Sequence, residues 1–168
     1  QTLEASVRDP RKGLPFEVFE LVSRLTPMVN VDLLIQNDAG ETLLAWRDDE
    51  YAGTGWHVPG GIVRYKEKFE DRIQQVALTE IGSMVKFDPE ILAVHQVVVP
   101  HKTRGHFVSL LYRCFIPGDY SIENQGRGST HPGYLKWHHG TPTDLIQVQQ
   151  FYSKFINISS STGSLVGC

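Results

Sequence analysis

The sequence predicts an α/β fold in a single domain, and three observations carry that prediction. Short apolar runs rich in β-branched and aromatic residues, MVNVDLLIQ from Met28, ILAVHQVVV from Ile91 and HFVSLLYRCFI from His106, read as strands bounded by turn residues. Between and around them, Phe16, Phe19, Val22 and Leu25, and later Phe69, Ile73, Val76 and Ala77, recur at helical spacing. A chain of 168 residues is long enough to bury one self-sufficient core, and no repeat or composition shift marks a second one. The domain is expected over residues 14–158, between a polar, flexible arm at 1–13 and a Ser- and Gly-rich flexible tail at 159–168.

In chain order, a short helix follows Pro15 and stops at Pro27. Met28 to Gln36 forms a strand, and Glu41 to Arg47 its hairpin partner across Asn37-Asp38-Ala39-Gly40. Asp32 interrupts the apolar run of the first strand, either satisfied by backbone donors or kept for a ligand. Arg47 closes the second strand, as an ordinary strand-end charge or as a ligand contact, where the chain enters an acidic loop from Asp48 to Gly55. Tyr51 and Trp56 flank that loop as aromatics that either stack on a base or cap the core. WHVPGG then leads through a loop into a helix from Glu67 to Gly82, with Gly60 and Gly61 allowing close backbone approach to a ligand. On that helix Glu80 falls on the apolar stripe, where a carboxylate needs a partner. A buried-looking strand from Ile91 to Val99 and another from His106 to Ile116 follow. The loop joining them holds Lys102 and Arg104 beside His106, a basic cluster that is either solvated or turned to an anion. A long polar loop from Pro117 to Pro132 precedes a strand, YLKWHH, and a helix from Thr143 to Ile156 with Leu145, Val148, Phe151 and Phe155 on its apolar face.

Composition narrows the function. A net charge of −3 with scattered basic residues leaves no electrostatic footprint for nucleic acid. No apolar stretch approaches the ~20 residues needed to span a bilayer, and the first residues lack the apolar core of a signal peptide, so a soluble, cytoplasmic protein is expected. The two cysteines, Cys114 and Cys168, give neither a disulfide framework nor zinc spacing, and Cys114 reads as a small core residue.

The stretch from Trp56 to Gly82 resembles the signature of the Nudix hydrolases, Gly-x5-Glu-x7-Arg-Glu-apolar-x-Glu-Glu-x-Gly-apolar. Gly61, Glu67, Glu80 and Gly82 stand in register with it, while Gln75, Val76 and Thr79 replace the arginine and two glutamates. TPMVNVDLLIQNDAGETLLAWR from Thr26, GTGWHVPGG from Gly53 and HPGY from His131 are similar to the GDP-mannose mannosyl hydrolase branch, which has a reduced box of this kind. The resemblance implies a mixed β-sheet sandwiched between α-helices. It also implies a Mg²⁺-dependent glycosyl hydrolase that cleaves the anomeric C–O bond of GDP-mannose or another GDP-sugar with inversion, giving GDP and free hexose. In that branch the amino-terminal segment contributes to a homodimer.

Carried over residue by residue, the resemblance gives Glu80, the backbone carbonyl of Gly60 and Thr130 to one Mg²⁺, His131 to the general base, and Arg47 to the charge building on the leaving phosphate. Asp32, Arg47 and Arg64 contact the nucleotide-sugar. Thr130 stands where the branch has a glutamine ligand, and Ile62 where it has an arginine, with Arg64 able to reach the same phosphate. Two rivals stand beside this reading, the first needing carboxylates from elsewhere, with Glu67, Glu70 or Asp71 the nearest, and the second favoured by those that are missing. One is a Nudix pyrophosphohydrolase cleaving the P–O–P bond of a nucleoside diphosphate derivative; the other is a non-catalytic domain that binds a nucleotide-sugar.

Overall fold

The computed structural model describes residues 2–157. A mixed five-stranded sheet is built from β1 (Met28–Ile35), β4 (Gly60–Ile62), β5 (Lys86–Phe87), β6 (Ala93–Val98) and β7 (His106–Phe115). β1 lies parallel to β7 and antiparallel to β4, and β5 and β6 both pair antiparallel with β7. A second, three-stranded sheet places β2 (Thr42–Asp49) between β3 (Gly53–His57) and β8 (Leu135–His138). Helices α1 (Leu3–Ser6), α2 (Phe16–Leu25), α3 (Phe69–Val76) and α4 (Ser153–Ile156) complete the α/β architecture.

The strict alternation of β1 divides the interior. Val31, Leu33 and Ile35 face one cluster with Ile73, Val76 and Ala77, the inner side of α3 and the turn after it. Leu34 faces the other cluster, with Leu111, Trp56, Tyr152 and Ile156. Asp32 shares the parity of Leu34, so its carboxylate is carried to the face covered by the carboxy-terminal segment rather than by α3. Trp56 is buried and meets Trp46 and His138 edge-on, which makes it a core cap. Of the adjacent histidines it is therefore His138 that turns inward, while His139 is exposed.

Several expectations change in three dimensions. The hairpin of β2 and β3 runs on past Arg47 to pair Asp49 with Gly53, so the loop expected from Asp48 to Gly55 shrinks to a turn. The box helix starts at Phe69 and passes after Val76 into a wide π-turn, Ala77–Ile81, closed by Gly82 in the left-handed conformation. Phe69 stands on the opening turn and is exposed, so the buried stripe begins at Ile73. β6 pairs only with β7 among the described strands and alternates, leaving Val94 and Val98 exposed rather than buried on both faces.

The helix expected from Thr143 to Ile156 forms only as a 3-10 stretch, Gln147–Tyr152, followed by α4. Before it, Leu145 is held in a β-bridge with Trp56, and the exchange of backbone hydrogen bonds between Trp56 and residues 144 and 146 keeps the chain extended. Residues 2–13 of the expected arm carry α1 and a 3-10 turn at Pro10–Lys12, with Pro10 and Gly13 reaching the wall of a cavity. In α2, Phe19 and Val22 also face that cavity, whereas Phe16 and Leu25 are exposed. The expected flexible tail at 159–168, with Cys168, lies outside the described residues. Cys114 is buried, and burial pushes its thiol up to about 12. No helix among the described residues is long and apolar enough to cross a membrane.

Candidate functional site

The site is built outward from Asp32. Its residue is 4% exposed, and its Oδ2 accepts a hydrogen bond from the Tyr152 hydroxyl at 2.5 Å. Opposite, β4 passes so close that a Cβ on Gly60 would lie 2.0 Å from Asp32 Oδ1 and 2.9 Å from the carbonyl of Val31. Only glycine fits that position, so Gly60 is dictated by the carboxylate as much as by any ligand. Burial raises the Asp32 pKa to about 6, against the hydroxyls of Tyr152 and Ser109 and the nearby His57, which lower it; Glu80 pushes it up further.

Glu80, on the π-turn, faces His57 at the end of β3, with Oε2 and Nε2 3.4 Å apart. The His57 ring is almost wholly buried, and its Nδ1 takes no hydrogen bond among the described residues. Beside this pair, Gly61 seats α3 against the sheet, since a Cβ there would press on Val76 Cγ2 at 2.8 Å. Glu67 is neither exposed nor free. It accepts from Nε and Nη2 of Arg72 at 2.8 and 2.7 Å and from the backbone N–H of Arg64 at 2.8 Å. Burial works to raise its carboxyl, but these donors win and hold it below the ordinary value.

Asp32, His57, Gly60, Gly61 and Arg72 border a cavity of about 720 Å³, whose lining does not include Glu67 or Glu80 themselves. Asn30, Asp32 and Ser109 supply polar groups from the sheet, α2 and the segment carrying Gln149 supply opposing walls, and Arg47, Arg64 and Arg104 supply positive charge. Arg47 donates through Nε to Asp49. Tyr51 stands in the wall with the Arg104 guanidinium 4.3 Å above its ring. Arg64 is exposed at the rim and reaches the carbonyl of Arg11 at 3.4 Å. Of the basic cluster in the β6–β7 loop, Arg104 and His106 line the cavity and Lys102 is exposed.

Thr130 and His131 are exposed on the long loop and do not line this cavity. The loop is pinned just beyond them: Gly133 donates to the carbonyl of Trp46, and Trp46 donates to that of Tyr134, next to Arg47 on β2. His131 Nδ1 lies 2.8 Å from the carbonyl of Pro132. A carbonyl only accepts, so Nδ1 carries the proton in that bond and Nε2 keeps the basic lone pair.

Solved structures of similar shape decide the fold. A MutT NUDIX hydrolase from Burkholderia pseudomallei superposes with a TM-score of 0.61 at 20% identity, over 81% of this chain and 99% of that one. A NUDIX-family hydrolase from Clostridium perfringens gives 0.55 at 13% identity, over 79% and 97%. The chain has the Nudix fold. No protein-family model matches it. The low-salt glycan biosynthesis protein Agl8 of Haloferax volcanii is 34% identical over 82 residues, 49% of this chain. That match spans 52% of Agl8, so the chain covers about half the length of this curated relative.

Within the Nudix fold, the reduced box is organised differently from its linear pattern. Gln75, at the arginine position, points to solvent, and Arg72, one turn earlier, takes Glu67. Among the described residues no three His, Cys, Asp or Glu side chains converge as a metal site. The oxygen donors near Asp32, namely Glu80 and the Gly60 backbone, suit a lightly held Mg²⁺ that keeps most of its waters, and do not suit a cluster of ions. Asp32, Gly60 and Glu80 are thus brought together, Arg47 and Arg64 border the same cavity, and Thr130 and His131 stand apart. Sequence reasoning gave no role to His57, Arg72 or Tyr152. The one linear hint was the polar ring of His57 inside an otherwise apolar WHVPGG.

Proposed function

We propose that this chain is a Mg²⁺-dependent hydrolase of a nucleotide-sugar of the GDP-mannose kind, acting at the anomeric carbon. The observation that carries the reading is the arginine-bordered cavity beside a box in which Glu67 is taken by Arg72 and Glu80 alone faces His57 of the cavity wall. Its volume of about 720 Å³ lies in the range of small-molecule sites, and its mixture of apolar wall and cationic edge suits a ligand with a base, a diphosphate and a sugar. Attack at phosphorus gains most from two metals clamping the reacting oxygens, whereas among the described residues no three His, Cys, Asp or Glu side chains converge. Attack at carbon asks instead for a stabilised leaving diphosphate and a base for water.

Glu80 and the backbone carbonyl of Gly60 would hold Mg²⁺, which supplies neutralisation of the diphosphate. Arg47 stabilises negative charge growing on the departing oxygen. His131, with Nε2 as its basic nitrogen, removes the proton of the attacking water, and attack opposite the leaving group inverts the anomeric centre. Agl8, whose name places it in glycan biosynthesis, is in keeping with a sugar-bearing substrate. A homodimer through the exposed side of α2, with Phe16 and Leu25, belongs to the same reading.

The exposed placement of Thr130 and His131 favours a second reading, a domain that binds a nucleotide-sugar without turning it over. Hydrolysis of GDP-mannose and GDP-glucose with Mg²⁺ in ¹⁸O-water separates the possibilities. Label in the hexose supports attack at carbon. Label in GMP or sugar phosphate shows a pyrophosphohydrolase. Binding without product supports the second reading.

A further inference from the structure

The geometry points to Arg104 as a second anion-binding arginine of the cavity, clamping a diphosphate together with Arg47. This rests on the nucleotide-sugar reading of the same site and adds to it a residue that lies outside the family-like segments.

The loop carrying Arg104 is ordered by specific bonds. Val99 donates its N–H to the carbonyl of Gly105 at 2.8 Å, and His101 Nδ1 accepts from the backbone N–H of Thr103 at 3.2 Å and of Arg104 at 2.9 Å. Gly105 is required for this turn, since a Cβ would lie 2.6 Å from the carbonyl of Val99 and 2.7 Å from that of His101. The side chain is equally well placed. Its guanidinium lies over Tyr51 at 4.3 Å and near Phe19 of α2 at 5.3 Å, rings from two elements far apart in sequence.

A second guanidinium stands beside it. Arg47 and Arg104 border one cavity, and the carboxylate beside them, Asp49, is bound by Arg47 and by the backbone N–H groups of Tyr51 and Ala52. Burial, and after it the positive charge of Arg47, hold Arg104 below the ordinary guanidinium value. Aromatic faces stabilise the flat of a guanidinium but leave its edge N–H groups to be satisfied. Two half-buried guanidinium groups thus meet at a cavity edge walled by apolar rings, with Arg104 also bonded to the Tyr51 side chain and Glu50 and Glu20 lying beside that tyrosine. A diphosphate fits such a pair, because its two phosphoryl groups accept from two planar forks at once.

The test is calorimetric titration of the full chain with inorganic pyrophosphate and, separately, guanosine, in metal-free buffer. Arg104→Met keeps the apolar stem, and Arg104→Lys keeps the charge without the fork. The expected result is a pyrophosphate Kd raised at least about tenfold by R104M and less by R104K, with guanosine affinity unchanged within about twofold. Equal pyrophosphate affinity in wild type and R104M overturns the proposal, as does equal weakening toward both probes or no pyrophosphate binding by the wild type. Should R104M not fold, R104K decides: an unchanged pyrophosphate Kd overturns the clamp and a raised one supports it. Loss of pyrophosphate binding in R104M with no GDP-sugar hydrolysis by the wild type sinks the proposed activity and leaves the clamp standing.

Discussion

The hydroxyl of Tyr152 donates to the carboxylate of Asp32 at 2.5 Å, tying the carboxy-terminal segment to the first strand of the sheet. Both residues are buried, so neither group can turn to water if the other is removed. Tyr152→Phe is expected to lower stability by about 1–3 kcal/mol, the range for stranding a buried polar group. Urea unfolding at neutral pH measures it, and an unchanged midpoint would show that Ser109 alone satisfies the carboxylate.

Asp32 also makes stability depend on pH. Its native pKa is raised by burial from 3.8 to about 6, so the folded state holds its proton to higher pH than the unfolded chain does. The resulting contribution is complete below 3.8 and is lost as pH rises through about 6. At about 1.4 kcal/mol per pH unit the span amounts to about 3 kcal/mol. Asp32→Asn removes this slope, which unfolding free energies at pH 4.5 and 7.5 would reveal as a smaller difference than in the wild type.

The two box glycines are expected to differ. Gly60→Ala drives a methyl into Asp32 Oδ1 and the Val31 carbonyl and costs about 3 kcal/mol or more. Gly61→Ala meets one methyl of the buried Val76 rather than a carboxylate and a backbone carbonyl, and costs about 1–2 kcal/mol. Thermal unfolding of both variants ranks them, and the reverse order would contradict the close approach of β4 to Asp32.

Arg72→Ala leaves the largely buried Glu67 carboxylate without its bidentate partner and is expected to cost about 3 kcal/mol at pH 7. Because the native Glu67 pKa is lowered, its stabilisation is present above 4.5 and disappears as pH falls through the native value. The penalty of Arg72→Ala therefore shrinks in acid, which guanidinium unfolding at several pH values can follow. Gln75→Ala, at an exposed position, is expected to change stability by less than about 0.5 kcal/mol.

For the proposed activity, His131→Ala is expected to lower turnover by ~10²-fold or more while leaving GDP affinity largely intact. Unchanged turnover would remove His131 from the reaction. Glu80→Gln is expected to weaken the response to Mg²⁺, and an unaltered metal titration would argue against ligation there.

Local pattern determined much of this protein. The alternation of β1, the hairpin to β2, the run of β7 and the apolar inner face of α3 are short-range signals that a linear reading recovers, because strand and helix periods are properties of neighbouring residues. The same reading marked Asp32, Gly60 and Glu80, each conspicuous against an apolar background. Tertiary structure alone decided how they are used. Tyr152 reaches Asp32 from the far end of the chain, His57 meets Glu80 between separate elements, and Arg104 settles over the rings of Phe19 and Tyr51. It also held residues 144–146 in an extended bridge against Trp56 where periodicity predicted helix. A sequence states which side chains can neutralise, stack or donate, but the partners of buried polar groups are fixed by long-range packing, and no local period carries that information.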